Sequence, residues 1–145
     1  MTRSFLILTH YYLPEIGAPQ NRLSALAKGL INRGHKVEIL CPNPNYPKNK
    51  IYDNYKNNFY QKELIDGITV HRTWVFTSPH RTFIKRLLNY FSFNFSSLFA
   101  INKINKPDYI ICESPPLFLG INALLIKKIF KSKLVFNVSD LWPES

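Results

Sequence analysis

Asp140 follows the apolar run Leu134–Val138, separated from it only by Ser139. A carboxylate at the carboxyl end of a buried strand is placed to orient a hydroxyl or to accept its proton. A helix N-cap, or a buried partner for Arg22, is the structural alternative, and the convergence of three loops at this end favours function. Gly17 lies between the first apolar run, Phe5–Leu8, and a helix that starts near Pro19. Free amides and the helix dipole at such a turn favour a phosphate, and a tight turn that needs glycine explains the residue equally well. In the same segment, which opens at His10, Glu15 reads as a solvated or capping acid rather than a catalyst.

Other chemistries lack their residues. The five glycines include no GxG pair, so a dinucleotide fingerprint is absent. Gly29 and Gly34 are spaced like a phosphate loop, but His35 stands where lysine is needed. Cys41 and Cys112 lie far apart with no clustered histidine, which argues against a zinc site and for reduced core thiols in a cytosolic protein. No nucleophile–base arrangement emerges, and His35 and His71 read as structural. No metal is expected.

Composition narrows the partners. Hydrophobic residues make up 46% and charged residues 19%, which excludes a disordered or collagen-like chain. Nineteen lysines and arginines against nine acids leave a net charge of +10, so an anionic partner is expected: nucleic acid, phosphorylated ligand or lipid surface. The charge is spread along the chain without a recognition motif, so nucleic acid is not expected. Phe5–Leu8 is too short for a signal peptide, and no stretch of about 18 apolar residues exists to span a membrane.

The elements that must position these residues follow from periodicity. Phe5–Leu8 and Val37–Cys41 read as buried parallel strands. Between them Leu23, Leu26, Ala27, Leu30 and Ile31 form a one-face helical stripe, closed by Arg33-Gly34-His35. Residues 42–58 form a long loop with three prolines, six asparagines and three tyrosines; a loop of this length is expected to be functional or mobile. Gln61–Ile65 and Ile68–Thr73 flank Asp66-Gly67, a hairpin signal. A long helix over Arg81–Lys106, a strand at Tyr109–Cys112, a helix over Pro116–Lys131 and a strand at Leu134–Val138 complete the order. This predicts an α/β fold, a Rossmann-like, doubly wound parallel sheet with an inserted β-hairpin. Ligands of such sheets bind beyond the strands' carboxyl ends, where residues 10–19, 113–117 and 139–145 converge. No helix follows the last strand, so 1–145 is expected to be one domain of something larger.

The Arg81–Lys106 helix carries two apolar faces. Ile84, Leu87, Leu88, Phe91, Phe95, Leu98 and Phe99 form one stripe, assigned to the core. Phe83, Tyr90, Phe93 and Ile101 lie outside it among Lys85, Arg86 and Lys103, which suits an anionic membrane surface or packing against a neighbouring domain.

These segments also carry a resemblance. Tyr11-Tyr12-Leu13-Pro14-Glu15-Ile16-Gly17-Ala18-Pro19 with Arg22, Gly34-His35-Lys36-Val37, Pro44-Asn45-Tyr46-Pro47, Gly67-Ile68-Thr69-Val70, Ser114-Pro115-Pro116 and Asp140-Leu141-Trp142-Pro143-Glu144-Ser145 occur in order along the whole chain. The chain thereby resembles the N-terminal, acceptor-side domain of family 4 glycosyltransferases, specifically the WbuB-like transferases of bacterial capsule, O-antigen and colanic acid assembly. The resemblance implies the N-terminal half of a GT-B fold whose C-terminal nucleotide-sugar domain is absent from 1–145. It implies a retaining transfer from a nucleotide diphosphate sugar, used as substrate without a cofactor or metal, to a polyprenyl-linked glycan acceptor. It implies a cytoplasmic protein, peripheral at the inner face of the cell membrane. It assigns donor phosphate to Gly17 and Ala18, the catalytic position to Asp140, and substrate contacts to His10, Glu15, Arg22, Ser114 and Ser139. Many relatives have two glycines where Gly17-Ala18 stands, and a histidine where Ser139 stands, so no histidine role carries over. The alternative is a non-catalytic membrane-docking or partner-binding module, or one subunit of a split enzyme.

Overall fold

A computed structural model describes residues 1–80, 82–114 and 117–138. Six strands form one sheet: β1 (Ser4–Leu8), β2 (Lys36–Pro42), β3 (Tyr60–Ile65), β4 (Ile68–Thr73), β5 (Tyr109–Ser114) and β6 (Lys133–Val138), in the order β3-β4-β2-β1-β5-β6. Only the β3–β4 pair is antiparallel. Its turn places Asp66 and Gly67 at φ 53° and 79°, the two positive values that a type I′ hairpin requires. Strand order reverses between β1 and β5, so their carboxyl ends open a crevice.

Three helices cover both faces. Helix α1 (Ala18–Asn32) packs Leu23 and Ala27 on Ile7, Ile39 and Val70. Helices α2 (Phe83–Ser97) and α3 (Leu119–Phe130) pack Phe93, Leu119, Ala123 and Ile126 on Leu6, Leu8 and Ile110. The alternation of Leu6, Ile7 and Leu8 between the two cores is the period-2 consequence of a strand covered on both sides. The predicted doubly wound sheet with its hairpin is thus observed. Among the described residues no helix is long and apolar enough to cross a membrane. Cys41 and Cys112 are buried and free.

Two helix readings need correction. On α1, Leu26 and Ile31 are more than a third exposed, while Gln20 and Ser24 join the buried face. The expected long helix over 81–106 is α2 followed by a 3₁₀ segment, Leu98–Lys103. Ser96 and Ser97 bond back to the carbonyls of Phe93 and Asn94 at 3.3 and 3.0 Å, competing with the regular ladder where the helix tightens.

The faces of α2 are also largely reversed, although Phe83 is exposed as expected. Tyr90 and Phe93, expected to face outward, are buried; Ile84, Leu88, Phe91, Phe95, Leu98 and Phe99, expected in the core, are exposed, Ile84 by 67%. The reason is polar satisfaction. The buried side also carries Asn89, Ser96 and Ser97, and each finds partners inside: Ser96 on Thr73 and Trp74, Ser97 on Asn122. With the seven-residue apolar stripe turned inward instead, those hydrogen bonds would be lost.

Candidate functional site

The loop from β1 to α1 is held by a carboxylate. Glu15 is 2% exposed: one oxygen accepts from the backbone amides of Asn45 and Tyr46 at 2.8 and 3.0 Å, and the other from Gln20 Nε2 at 3.1 Å. The solvated reading of Glu15 is therefore wrong; it clamps the β1–α1 loop to the loop after β2. Burial pushes its carboxyl pKa up, against the opposing pull of the amides, Gln20 and Arg72. Gly17 is the N-cap of α1, without a side-chain cap, in an extended conformation open to any residue. Its requirement is close approach: a Cβ there would meet Gln20 Oε1 at 2.4 Å and disturb the Glu15 clamp.

Arg22, one turn into α1, does not depend on Asp140 for a partner. It forms a bidentate pair with Glu113 at the end of β5, at 3.1 and 2.6 Å, and Asn137 of β6 donates to the same carboxylate at 2.9 Å. Glu113 is buried and Arg22 is 45% exposed, so the acid fixes a cation at the crevice. Sequence reasoning placed Glu113 in the converging loops but gave it no role.

His10 lies beneath the crevice, 2% exposed and ringed edge-on by Tyr11, Tyr90 and Phe93. Burial lowers its pKa to about 4, so it is neutral at pH 7. The two N–H groups of Asn89 Nδ2 are shared among three acceptors, Phe76 O at 2.7 Å and the more distant Asn49 Oδ1 and Asn45 Oδ1, leaving its own oxygen to accept from His10 Nε2 at 2.7 Å. His10 therefore carries its proton on Nε2 and acts through Asn89.

Above this network is a cleft of about 190 Å³, lined by Tyr11, Tyr46, Asn45, Asn49, Arg86, Asn89, Tyr90 and Pro47. None of these residues was assigned a site role by sequence reasoning. The available signals were the six asparagines of the loop and an asparagine, Asn89, inside an apolar helix. Of the expected site residues the structure brings together His10, Glu15, Gly17, Ala18 and Arg22 around the β1–α1 loop. Ser114 is described as the last residue of β5, paired with Val138. Ser139, Asp140, Pro115, Pro116 and residues 141–145 lie outside the described residues, as does Arg81. No three His, Cys, Asp or Glu side chains cluster as a metal site among the described residues.

Known proteins share this architecture. The profile of the glycosyl transferase 4-like domain matches residues 17–145. The chain is similar to the putative colanic acid biosynthesis glycosyl transferase WcaI of Escherichia coli (strain K12), 29% identical over 131 residues, covering 89% of this chain and 32% of that protein. It thus spans about a third of that relative's length. Among solved structures it is similar to the catalytic domain of starch synthase IV from Arabidopsis thaliana, bound to ADP and acarbose, with a TM-score of 0.61 at 19% identity, covering 94% of this chain and 34% of that one. This second likeness is one of fold, the N-terminal half of a GT-B arrangement.

Proposed function

The chain belongs to the glycosyl transferase 4-like domain family, and from that premise we propose that it is the acceptor-binding half of a retaining glycosyltransferase. The donor is a nucleotide diphosphate sugar and the acceptor a polyprenyl-linked glycan in surface polysaccharide synthesis. The observation that carries this reading is the cleft at the carboxyl end of β1, beside the point where strand order reverses.

In such a transfer the transition state is oxocarbenium-like, and the departing diphosphate takes the acceptor proton. The Gly17 and Ala18 amides at the start of α1 stabilise charge on the diphosphate, and the Glu113-held Arg22 adds a cation nearby. Asp140 positions the acceptor; His10 and Glu15 hold the walls of its pocket; Ser114 and Ser139 contact the substrate. The nucleotide-sugar contacts come from a second domain, within one longer protein or as a separate subunit. The expected result is no sugar transfer by purified 1–145, and transfer once the nucleotide-sugar domain is supplied. Transfer by 1–145 alone would overturn the two-domain division, and full turnover by Asp140→Asn in the two-domain enzyme would remove the positioning role.

The exposed stripe of α2 supports a second element, docking on an anionic membrane at the inner face of the cell membrane. The stripe joins α3 through Phe91 stacked on Phe118 at 4.3 Å, and α3 adds exposed Ile121 and Leu124. Lys85 of α2, Lys103 at the end of the 3₁₀ segment and Lys127 and Lys128 of α3 are cations of these elements, and each basic residue near an anionic surface contributes about 1 kcal/mol. The expectation is co-sedimentation with phosphatidylglycerol vesicles, weakened by salt and by Phe95→Glu, and little with neutral vesicles. Equal binding to both vesicle types, or none to either, would assign this face to packing against protein.

A further inference from the structure

The cleft above Asn89 has an unbalanced set of polar groups. Its lining contains no carboxylate. The amide oxygens that it does contain are engaged inside the protein: those of Asn45 and Asn49 by Asn89 Nδ2, and that of Asn89 by His10. The nearby Glu15 carboxylate is occupied by two backbone amides and Gln20. The side-chain acceptors of the cleft therefore already face partners inside the protein.

Donors are left over. The hydroxyls of Tyr11 and Tyr90 lie 3.2 Å apart; one donates to the other, and the second O–H remains for a ligand. The Tyr46 hydroxyl has no protein partner among the described residues, and its ring, 43% exposed, meets Tyr11 edge-on at 5.3 Å. Arg86 lines the cleft from α2 and makes no ion pair among the described residues. An arginine free of carboxylates presents five N–H donors in a fixed fork suited to oxyanions.

A neutral sugar must place one proton for every hydroxyl it binds through, and those protons find few unengaged acceptors here. We infer that this cleft is an oxyanion site, in which Arg86, Tyr46 and the Tyr11–Tyr90 pair hold a phosphoryl or carboxylate group of the ligand. That this ligand is the acceptor rests on the function proposed above; the preference for negative charge rests on the cleft alone.

The test is calorimetric titration of the chain at constant ionic strength with three probes: inorganic pyrophosphate, glucuronate and glucose. Both anions are expected to bind more tightly than glucose, and the tighter of the two names the source of the oxyanion. Arg86→Gln is expected to weaken the anions by about tenfold, as for one lost charge-assisted hydrogen bond. It should leave glucose binding and the unfolding midpoint unchanged, because the side chain is exposed. Lys133→Gln, a remote cation at the start of β6, should change neither. Glucose binding as tightly as the anions overturns the inference. So does anion affinity that is indifferent to Arg86→Gln, or equally sensitive to Lys133→Gln. Sugar transfer by the two-domain enzyme would still stand in those cases, with a neutral acceptor; Arg86-dependent anion binding without transfer would fail the proposed function alone.

Discussion

Arg72→Ala is expected to destabilise the chain by about 3–5 kcal/mol, the range for removing one partner of a buried charged network. Arg72 is among the largest fully buried side chains, 1% exposed at the carboxyl end of β4. Its Nε donates to Glu63 on the neighbouring strand, Nη1 to Pro42 O at 2.9 Å, and Nη2 to Leu13 O. Its guanidinium also lies 5.3 Å from the Tyr55 ring centroid. One planar fork thus ties together the hairpin, the end of β2 and the β1–α1 loop. Alanine leaves two carbonyls, the buried one of Pro42 and the partly buried one of Leu13, without this donor, and a cavity beside them. Arg72→Lys should recover only part of the loss, because one ammonium cannot reach groups on three elements at once. Glu63→Gln keeps the hydrogen bond but removes the counter-charge of a 1%-exposed guanidinium, so it should cost about 1–3 kcal/mol, less than Arg72→Ala because Glu63 is itself 28% exposed. Urea unfolding measures all three, and a loss below about 1 kcal/mol for Arg72→Ala would show the network to be dispensable. Since small domains are stable by only about 5–15 kcal/mol, the alanine variant should unfold at a clearly lower urea concentration than the wild type.

Glu15→Ala is the second large effect, about 2–4 kcal/mol, because it strands the amides of Asn45 and Tyr46 and the side chain of Gln20. Glu15→Gln should behave differently. Gln20 Oε1 is buried with no partner, so a flipped Gln20 amide can accept from the new amide nitrogen while the remaining oxygen keeps the two backbone bonds. The pH dependence separates charge from geometry. Because the folded-state pKa of Glu15 is raised above 4.5, the native state holds this proton more tightly than the unfolded chain. Its contribution is full below pH 4.5 and is lost as pH rises through the folded value. Glu15→Gln removes that loss, so the variant should gain on the wild type as pH rises from 4.5 to 7. His10, lowered to about 4, runs the opposite way, losing stability as pH falls below 6.5, and cancels in the comparison. If Glu15→Gln proves as damaging as Glu15→Ala at every pH, the clamp needs the charge itself.

Much of the architecture is local and was legible in one dimension. Gly34, at φ 88°, ends the turn after α1, and Asp66-Gly67 turns the hairpin, because these conformations select residues by short-range sterics. Apolar runs and stripes marked the strands and helices, and ordered motifs from Tyr11 to Ser145 carried the family. Periodicity also showed correctly that Ile84, Leu88, Phe91 and Phe95 share a face of α2. It did not say which face docks. That was decided by Asn89, whose amide meets His10, Asn45, Asn49 and Phe76, residues up to 79 positions away. The same holds for Arg22, whose partner Glu113 is 91 positions distant, and for the cleft assembled from residues 11, 46, 86 and 90. A hydrophobic pattern records how much apolar surface each face offers, whereas the packed face must also satisfy every polar group it buries. Those partners come from other strands and loops, so only the assembled tertiary structure determined them.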